Sequence, residues 1–173
     1  MANFNISLPK DYPHKKDLEI IVKFTKTEVT FTESQDVVLP TLVLADKTEV
    51  TGIVPISYAL ARASTANGKN WARTVLGDGV ADRAAEIEQY SSIAESVFGD
   101  QVLDIKTTIG QVSTHLKTCS FIASPSEITM ADVLLALALY PHAQQLTNEE
   151  RDKSFIDFTR WIIYINNLLG DPL

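Results

Sequence analysis

Reactive side chains are sparse in this sequence. Cys119 is the single cysteine, which excludes an internal disulfide and any cysteine-rich zinc site. His14, His115 and His142 stand far apart, and no HExxH, P-loop or GxSxG pattern occurs, so neither a metal-ligand set nor a phosphate cradle is supplied. No catalytic residue, metal or cofactor is expected. What does recur with regular spacing is a polar helical face near the C-terminus, where Lys153, Asp157, Arg160, Tyr164 and Asn167 follow at three- and four-residue steps. An arginine in such a row either pairs with the aspartate one turn earlier or offers its planar guanidinium to a carboxylate outside. Tyrosine brings the amphipathic ring favoured at interfaces.

Composition narrows the partners. The 173 residues carry a formal charge of -7, with 45% hydrophobic and 21% charged residues, values of an ordinary globular chain. An acidic domain is a poor reader of the phosphate backbone, so any nucleic-acid role would need another domain. The N-terminus lacks a signal peptide's basic and apolar regions, and no apolar run approaches the roughly 20 residues needed to span a bilayer. A reducing cytoplasm is the expected location.

The elements that must position these residues fall into two blocks. Phe4, Ile6 and Leu8 alternate with polar residues as a half-buried strand that Pro9 stops, and Val29 with Phe31 marks a second. Residues 15–26 satisfy both the strand and the helix period. Thr41 to Leu44 and Thr48 to Thr51 flank Ala45-Asp46-Lys47 as a hairpin, and Ile53 to Ala63 is helical. After Asn67-Gly68 all signals are helical, which sets a first lobe at 1–66 and a second at 69–173.

In the second lobe Asp78 is a candidate N-cap for the helix carrying Ile87, Tyr90, Ala94, Val97 and Phe98. Val102, Ile105, Ile109, Val112, Leu116 and Cys119 form the stripe of the next, which makes Cys119 a structural thiol. Thr129 and Asp132 form a capping box, with Ile128 and Val133 as its hydrophobic staple, ahead of a helix that is apolar all round and must be enclosed. Pro141 ends or kinks that helix. Thr147 to Glu150 caps the last one, whose inner face is Phe155, Phe158, Ile162, Ile165 and Leu169, widened by Trp161 and Leu168.

Val38-Leu39-Pro40-Thr41-Leu42-Val43-Leu44, Thr51-Gly52-Ile53-Val54-Pro55-Ile56-Ser57, Phe121-Ile122-Ala123 and Ile128-Thr129-Met130-Ala131-Asp132-Val133 resemble the glutathione S-transferase superfamily over nearly the whole chain. The resemblance implies an α+β fold, a small thioredoxin-like lobe followed by an all-α lobe, with a helix between the first two strands. It implies that Pro40 is a cis-proline. Thr51-Gly52-Ile53 together with Phe158-Thr159-Arg160-Trp161-Ile162-Ile163-Tyr164-Ile165 resembles the non-enzymatic branch attached to aminoacyl-tRNA synthetases, their tRNA-binding cofactors and elongation factor 1 subunits.

A transferase needs a hydroxyl or thiol at the mouth of its first helix to stabilise the glutathione thiolate, and only Tyr12 and Ser7 qualify. It also needs a serine to grip the γ-glutamyl carboxylate. Aligned through Ile56 and Leu60, the pair that would do so is Gly52-Ile53, and isoleucine leaves a carboxylate desolvated, at about 1–3 kcal/mol or more. Thr51 is the one residue able to substitute. The resemblance therefore implies a docking domain that pairs with synthetases or other such domains of the translation machinery, as a homo- or hetero-dimer. Arg160, Asp157 and Tyr164 on the last helix, and Ile53 and Ser57 on the helix after the hairpin, are its expected partner contacts, with Pro40, Thr129, Asp132 and Trp161 as structural residues. The end of the chain directly after its last helix suggests a basic or catalytic module downstream. The alternatives are an elongation factor 1 subunit and an active transferase with an atypical hydroxyl.

Overall fold

A computed structural model describes residues 3–64, 68, 70–101 and 104–170, leaving Asn67, Val102, Asp171 and Pro172 outside the described residues. The chain divides into two compact units, residues 1–73 and 74–173.

The first unit opens with β1 (Asn3–Pro9), α1 (Lys15–Thr25) and β2 (Glu28–Ser34). β1 and β2 pair in parallel, which a tight turn cannot connect, so the intervening residues must form a crossover. α1 is that crossover. The doubly periodic segment is thus a helix, with Leu18, Ile21 and Thr25 on its buried face and Lys26 in the left-handed region at φ 52° as its stop. β3 (Thr41–Val43) and β4 (Glu49–Thr51) form the hairpin, complete the order β2-β1-β3-β4, and lead into α2 (Ile53–Ala63). At the hairpin tip Asp46 Oδ1 accepts from the Thr48 amide at 3.0 Å while Lys47 takes φ 68°.

Cross-strand register puts Thr30, Asn5, Val43 and Glu49 in one exposed row. Thr32, Ser7, Thr41 and Thr51 form the next row of the same face. Ile6, Leu8 and Leu42 alternate to the other face and are fully buried, as are Leu18 and Ile21 of α1 and Ile56 and Leu60 of α2. The bond before Pro40 is trans, contrary to the expected cis-proline, since no described peptide bond is cis. The residue enters β3 with its carbonyl accepting from the Gly52 amide at 2.9 Å.

α3 (Trp71–Leu76) crosses the division between the units. α4 (Ala81–Phe98) follows Val80, not Asp78. Gly77 at φ 70° and Gly79 at φ 90° turn the chain there, and a Cβ on Gly77 would meet the Ala84 nitrogen at 2.8 Å. α5 (Ile105–His115) is capped by Asp104, whose carboxylate accepts from the Thr107 amide at 3.2 Å and hydroxyl at 2.6 Å. It ends before Cys119, which lies half-buried in the turn beyond and not on the helical stripe.

α6 (Met130–Ala143) is buried from Met130 through Leu139, as its all-round apolar sequence requires. Pro141 does not end it, for the helix runs two residues further. Arg151 Nη2 donates to the Ala143 and Gln144 carbonyls at 3.1 and 2.8 Å and closes that end. The Thr147–Glu150 box forms, with the Thr147 amide on Glu150 Oε2 at 2.9 Å and the Glu150 amide on Thr147 Oγ1 at 3.2 Å. What it starts is a π turn (Glu150–Ser154), and α7 (Ile156–Leu169) begins after Phe155. Phe158, Trp161, Ile162 and Ile165 are buried, whereas Leu168, placed on the inner face by its spacing, is 50% exposed. Among the described residues no helix is long and apolar enough to cross a membrane, and no cluster of three metal-ligating side chains occurs.

Candidate docking surface

The hydroxyls of the first unit are poorly placed for thiolate chemistry. Tyr12 has its phenol pushed up to about 12, by burial first and then by the negative charge of Asp17. Asp17 Oδ2 lies 2.9 Å from His14 Nδ1, and the His14 ring is 5.7 Å from that of Tyr12. A weakly acidic hydroxyl beside a carboxylate is a poor stabiliser of a second anion. Ser7 sits mid-strand in the hydroxyl row of the sheet.

At the start of α2, Thr51 is exposed, Gly52 holds φ 92°, and Ile53 is buried. Ser57 is fully buried as well and donates to the Ile53 carbonyl at 2.6 Å. Ile53 and Ser57 are therefore not surface contacts. They share the inward face of α2 with Ile56 and Leu60, at the three- and four-residue steps that define one side of a helix. The exposed residues of α2 are Pro55 and Arg62, the latter 5.8 Å from the Tyr58 ring centroid.

The residues expected on the last helix do come together. Arg160 is 65% exposed, and its Nη2 lies 3.5 Å from Asp157 Oδ1 and 3.4 Å from the Leu116 carbonyl. Both contacts are long, and Nε and Nη1 have no partner among the described residues. Tyr164, one turn on, is 49% exposed, and its ring lies 5.9 Å from that of Phe121. Between them runs an open groove of about 450 Å³, with Ser120, Phe121, Pro125 and Ser126 on one side and Arg160, Trp161 and Tyr164 on the other. Ile156, Ile163 and Leu168 add exposed apolar area to the same helix. Sequence reasoning missed Phe121 and its turn as a groove wall. The available signal was an aromatic outside any periodic stripe.

Behind the groove lies Asp132, fully buried at the third position of α6. Its Oδ2 accepts from the Thr129 amide at 2.9 Å and hydroxyl at 2.7 Å, which closes the capping box. Its Oδ1 accepts from the Ile122 amide at 2.8 Å and from Trp161 Nε1 at 3.0 Å. Burial pushes the Asp132 carboxyl up, against the pull of these hydrogen bonds. Trp161, expected in the core, is 2% exposed.

Comparison with known proteins bears on this surface. No curated protein sequence matches the chain. Among solved structures, the GST-like domain of elongation factor 1-gamma from Saccharomyces cerevisiae shares 17% identity at a TM-score of 0.75, covering 99% of this chain and 91% of that one. The glutathione transferase URE2P8 from Phanerochaete chrysosporium, with oxidized glutathione, shares 10% at 0.73, with 98% and 92% covered. URE2P6 from the same organism, in apo form, shares 15% at 0.70, with 95% and 90% covered. At identities this low the structural likeness shows the fold alone, which is the expected GST-like α+β arrangement. The family model described as nuclear-export cofactor Arc1p matches residues 83–169, from the first turn of α4 through α7. That span is a little over half of the chain and contains both walls of the groove, and by it the chain belongs to the Arc1p N-terminal-like family.

Proposed function

We propose that this chain is a non-catalytic docking domain of the translation apparatus. It pairs through the outer face of α7 with a GST-like domain of an aminoacyl-tRNA synthetase or of a synthetase cofactor, or with a second copy of itself. It works in the cytoplasm, and tRNA is engaged by another part of a longer protein. The observation that carries the reading is the exposed Arg160, with Nε and Nη1 unengaged, surrounded on one helix by exposed Ile156, Ile163, Tyr164 and Leu168. Single exposed aliphatic residues are ordinary, but a contiguous group around an under-used guanidinium has the composition of an interface core. The family match to a cofactor protein and the likeness to an elongation factor domain support the same direction.

Affinity capture of the parent protein from its own cytosol, read by mass spectrometry, tests this. Recovery of a synthetase, a synthetase cofactor or an elongation factor subunit, lost with Arg160→Glu, is the expected result. Recovery of none of them, with an unchanged monomeric mass for wild type, refutes it.

A glutathione-binding role is the second reading, favoured by the likeness to the glutathione transferase URE2P8, whose structure was solved with oxidized glutathione. The buried Ile53 and the weakly acidic Tyr12 weigh against it.

A further inference from the structure

The two oxygens of Asp132 serve different tasks. Oδ2 belongs to the start of α6, where it takes both the amide and the hydroxyl of Thr129. A capping box needs no more than that one oxygen. Oδ1 contributes nothing to the helix start. It accepts instead from Ile122, in the turn that forms one groove wall, and from the indole of Trp161, on the helix that forms the other.

We propose that this shared oxygen is a positioning device for the groove: the Trp161–Asp132 hydrogen bond fixes the rotation of α7 about its own axis. It thereby fixes the direction in which Arg160, the adjacent residue, and Tyr164, one turn on, project beside Phe121. The docking role of the groove rests on the reading above, whereas its geometry does not. Apolar packing by Phe158, Ile162 and Ile165 is non-directional, and the other directional ties of α7, from the Phe158 amide to Ser113 Oγ, Thr159 Oγ1 to the Arg151 carbonyl and Arg160 Nη2 to the Leu116 carbonyl, are all long at 3.4 Å. A buried hydrogen bond is directional, and leaving its acceptor short of a donor is costly. The opposite wall cannot follow a rotating helix, because the Ile122 carbonyl is separately bonded to His115 Nε2 at 2.6 Å. Ser124 Oγ braces the same turn by accepting from the Ser126 and Glu127 amides at 3.4 and 3.2 Å. Losing the indole donor therefore moves the α7 side chains relative to the turn.

The test compares two variants of the full chain. Trp161→Phe keeps an aromatic ring in the core, removes the N–H donor to Oδ1 and also deletes part of the buried indole volume. Thr129→Val removes the hydroxyl donor to Oδ2 and leaves Oδ1 untouched. Both are expected to lower the melting temperature, a change that any structural residue would cause. Only Trp161→Phe is expected to lose the nuclear Overhauser cross-peaks between the Phe121 and Tyr164 rings. Persistence of those cross-peaks in Trp161→Phe, or their equal loss in Thr129→Val, overturns the proposal. Should Trp161→Phe fail to fold, the wild-type indole proton decides. Exchange protection matching the core amides supports the bond, and exchange at the rate of an unfolded chain overturns it. An Arg160→Glu variant with unaltered partner capture would remove the docking reading and leave this result standing.

Discussion

Asp157 and Arg160 stand one turn apart on α7 with Oδ1 and Nη2 3.5 Å from each other, the aspartate side chain 21% exposed and the arginine 65%. The pair is too long and too solvated to hold the helix together. It leaves the guanidinium pointed outward and lightly restrained. Arg160→Glu is therefore expected to change unfolding free energy by no more than about 0.5 kcal/mol. The same change is expected to abolish partner capture. A urea melt displaced by far more, or capture left intact, contradicts this assignment.

Asp132 is the opposite case. Asp132→Ala removes the acceptor of four hydrogen bonds at a site with no water access, stranding the Ile122 and Thr129 amides and the Trp161 indole. A loss of at least about 3 kcal/mol is expected, since each stranded donor costs about 1–3 kcal/mol. Denaturant unfolding measures it, and a loss under about 1 kcal/mol would mean that the donors find other acceptors.

Glu150 sets a pH dependence whose sign follows from its hydrogen bonds. Lys106 Nζ donates to Oε1 at 2.5 Å, and the Thr147 amide and hydroxyl donate to Oε2 at 2.9 and 3.0 Å, which lowers the carboxyl from 4.5 to about 2. A depressed folded-state value means that the contribution is present above pH 4.5 and is lost as pH falls toward about 2. Thermal melts of wild type and Glu150→Gln are expected to differ near neutrality and to converge across that window. A gap that widens on acidification would reverse the assignment.

Reduced glutathione is expected to give no heat of binding in the micromolar range on calorimetric titration. Restoring a hydroxyl by Ile53→Ser is not expected to help. It also costs about 2 kcal/mol or more of stability, because Ile53 is only 5% exposed. Micromolar uptake by the wild-type chain would overturn the non-catalytic reading.

Much of the fold was legible where two independent local signals agreed. The start of α6 carries both a capping box and an all-apolar run, and both are found. β1 and the hairpin rested on alternation plus turn residues. The double period of residues 15–26 is not resolved by periodicity; the family resemblance places a helix there, and the parallel pairing of β1 and β2 gives the physical reason for it. Misreadings came where one local signal was taken alone. Asp78 has a good capping side chain, but two left-handed glycines put Val80 at the helix start. Cys119 continues a three-four step that the chain abandons at His115, and Leu168 fits an inner stripe that the core does not reach.

The surface on α7 was legible because its polar residues keep one helical period. Ile53 and Ser57 were misplaced although their own spacing to Ile56 and Leu60 puts them inside. The groove wall at Phe121 depends on contacts 43 residues apart along the chain, from Phe121 to Tyr164, which no window of local sequence contains. The role of Asp132 Oδ1 was hidden for the same reason. A capping box announces one carboxylate oxygen, and the use of the other is decided by tertiary structure.

The π turn before α7 closes with the Phe155 amide on the Glu150 carbonyl at 2.8 Å, a five-residue step. Such a turn accommodates one residue more than an α-helical turn. It is therefore slack in the chain, able to absorb a length change without passing it on. Deleting any one of the exposed residues Asp152, Lys153 or Ser154 lets the step tighten while Phe158 and Trp161 stay seated. A single-residue shortening of this turn is thus expected to leave the phase of the last helix unaltered.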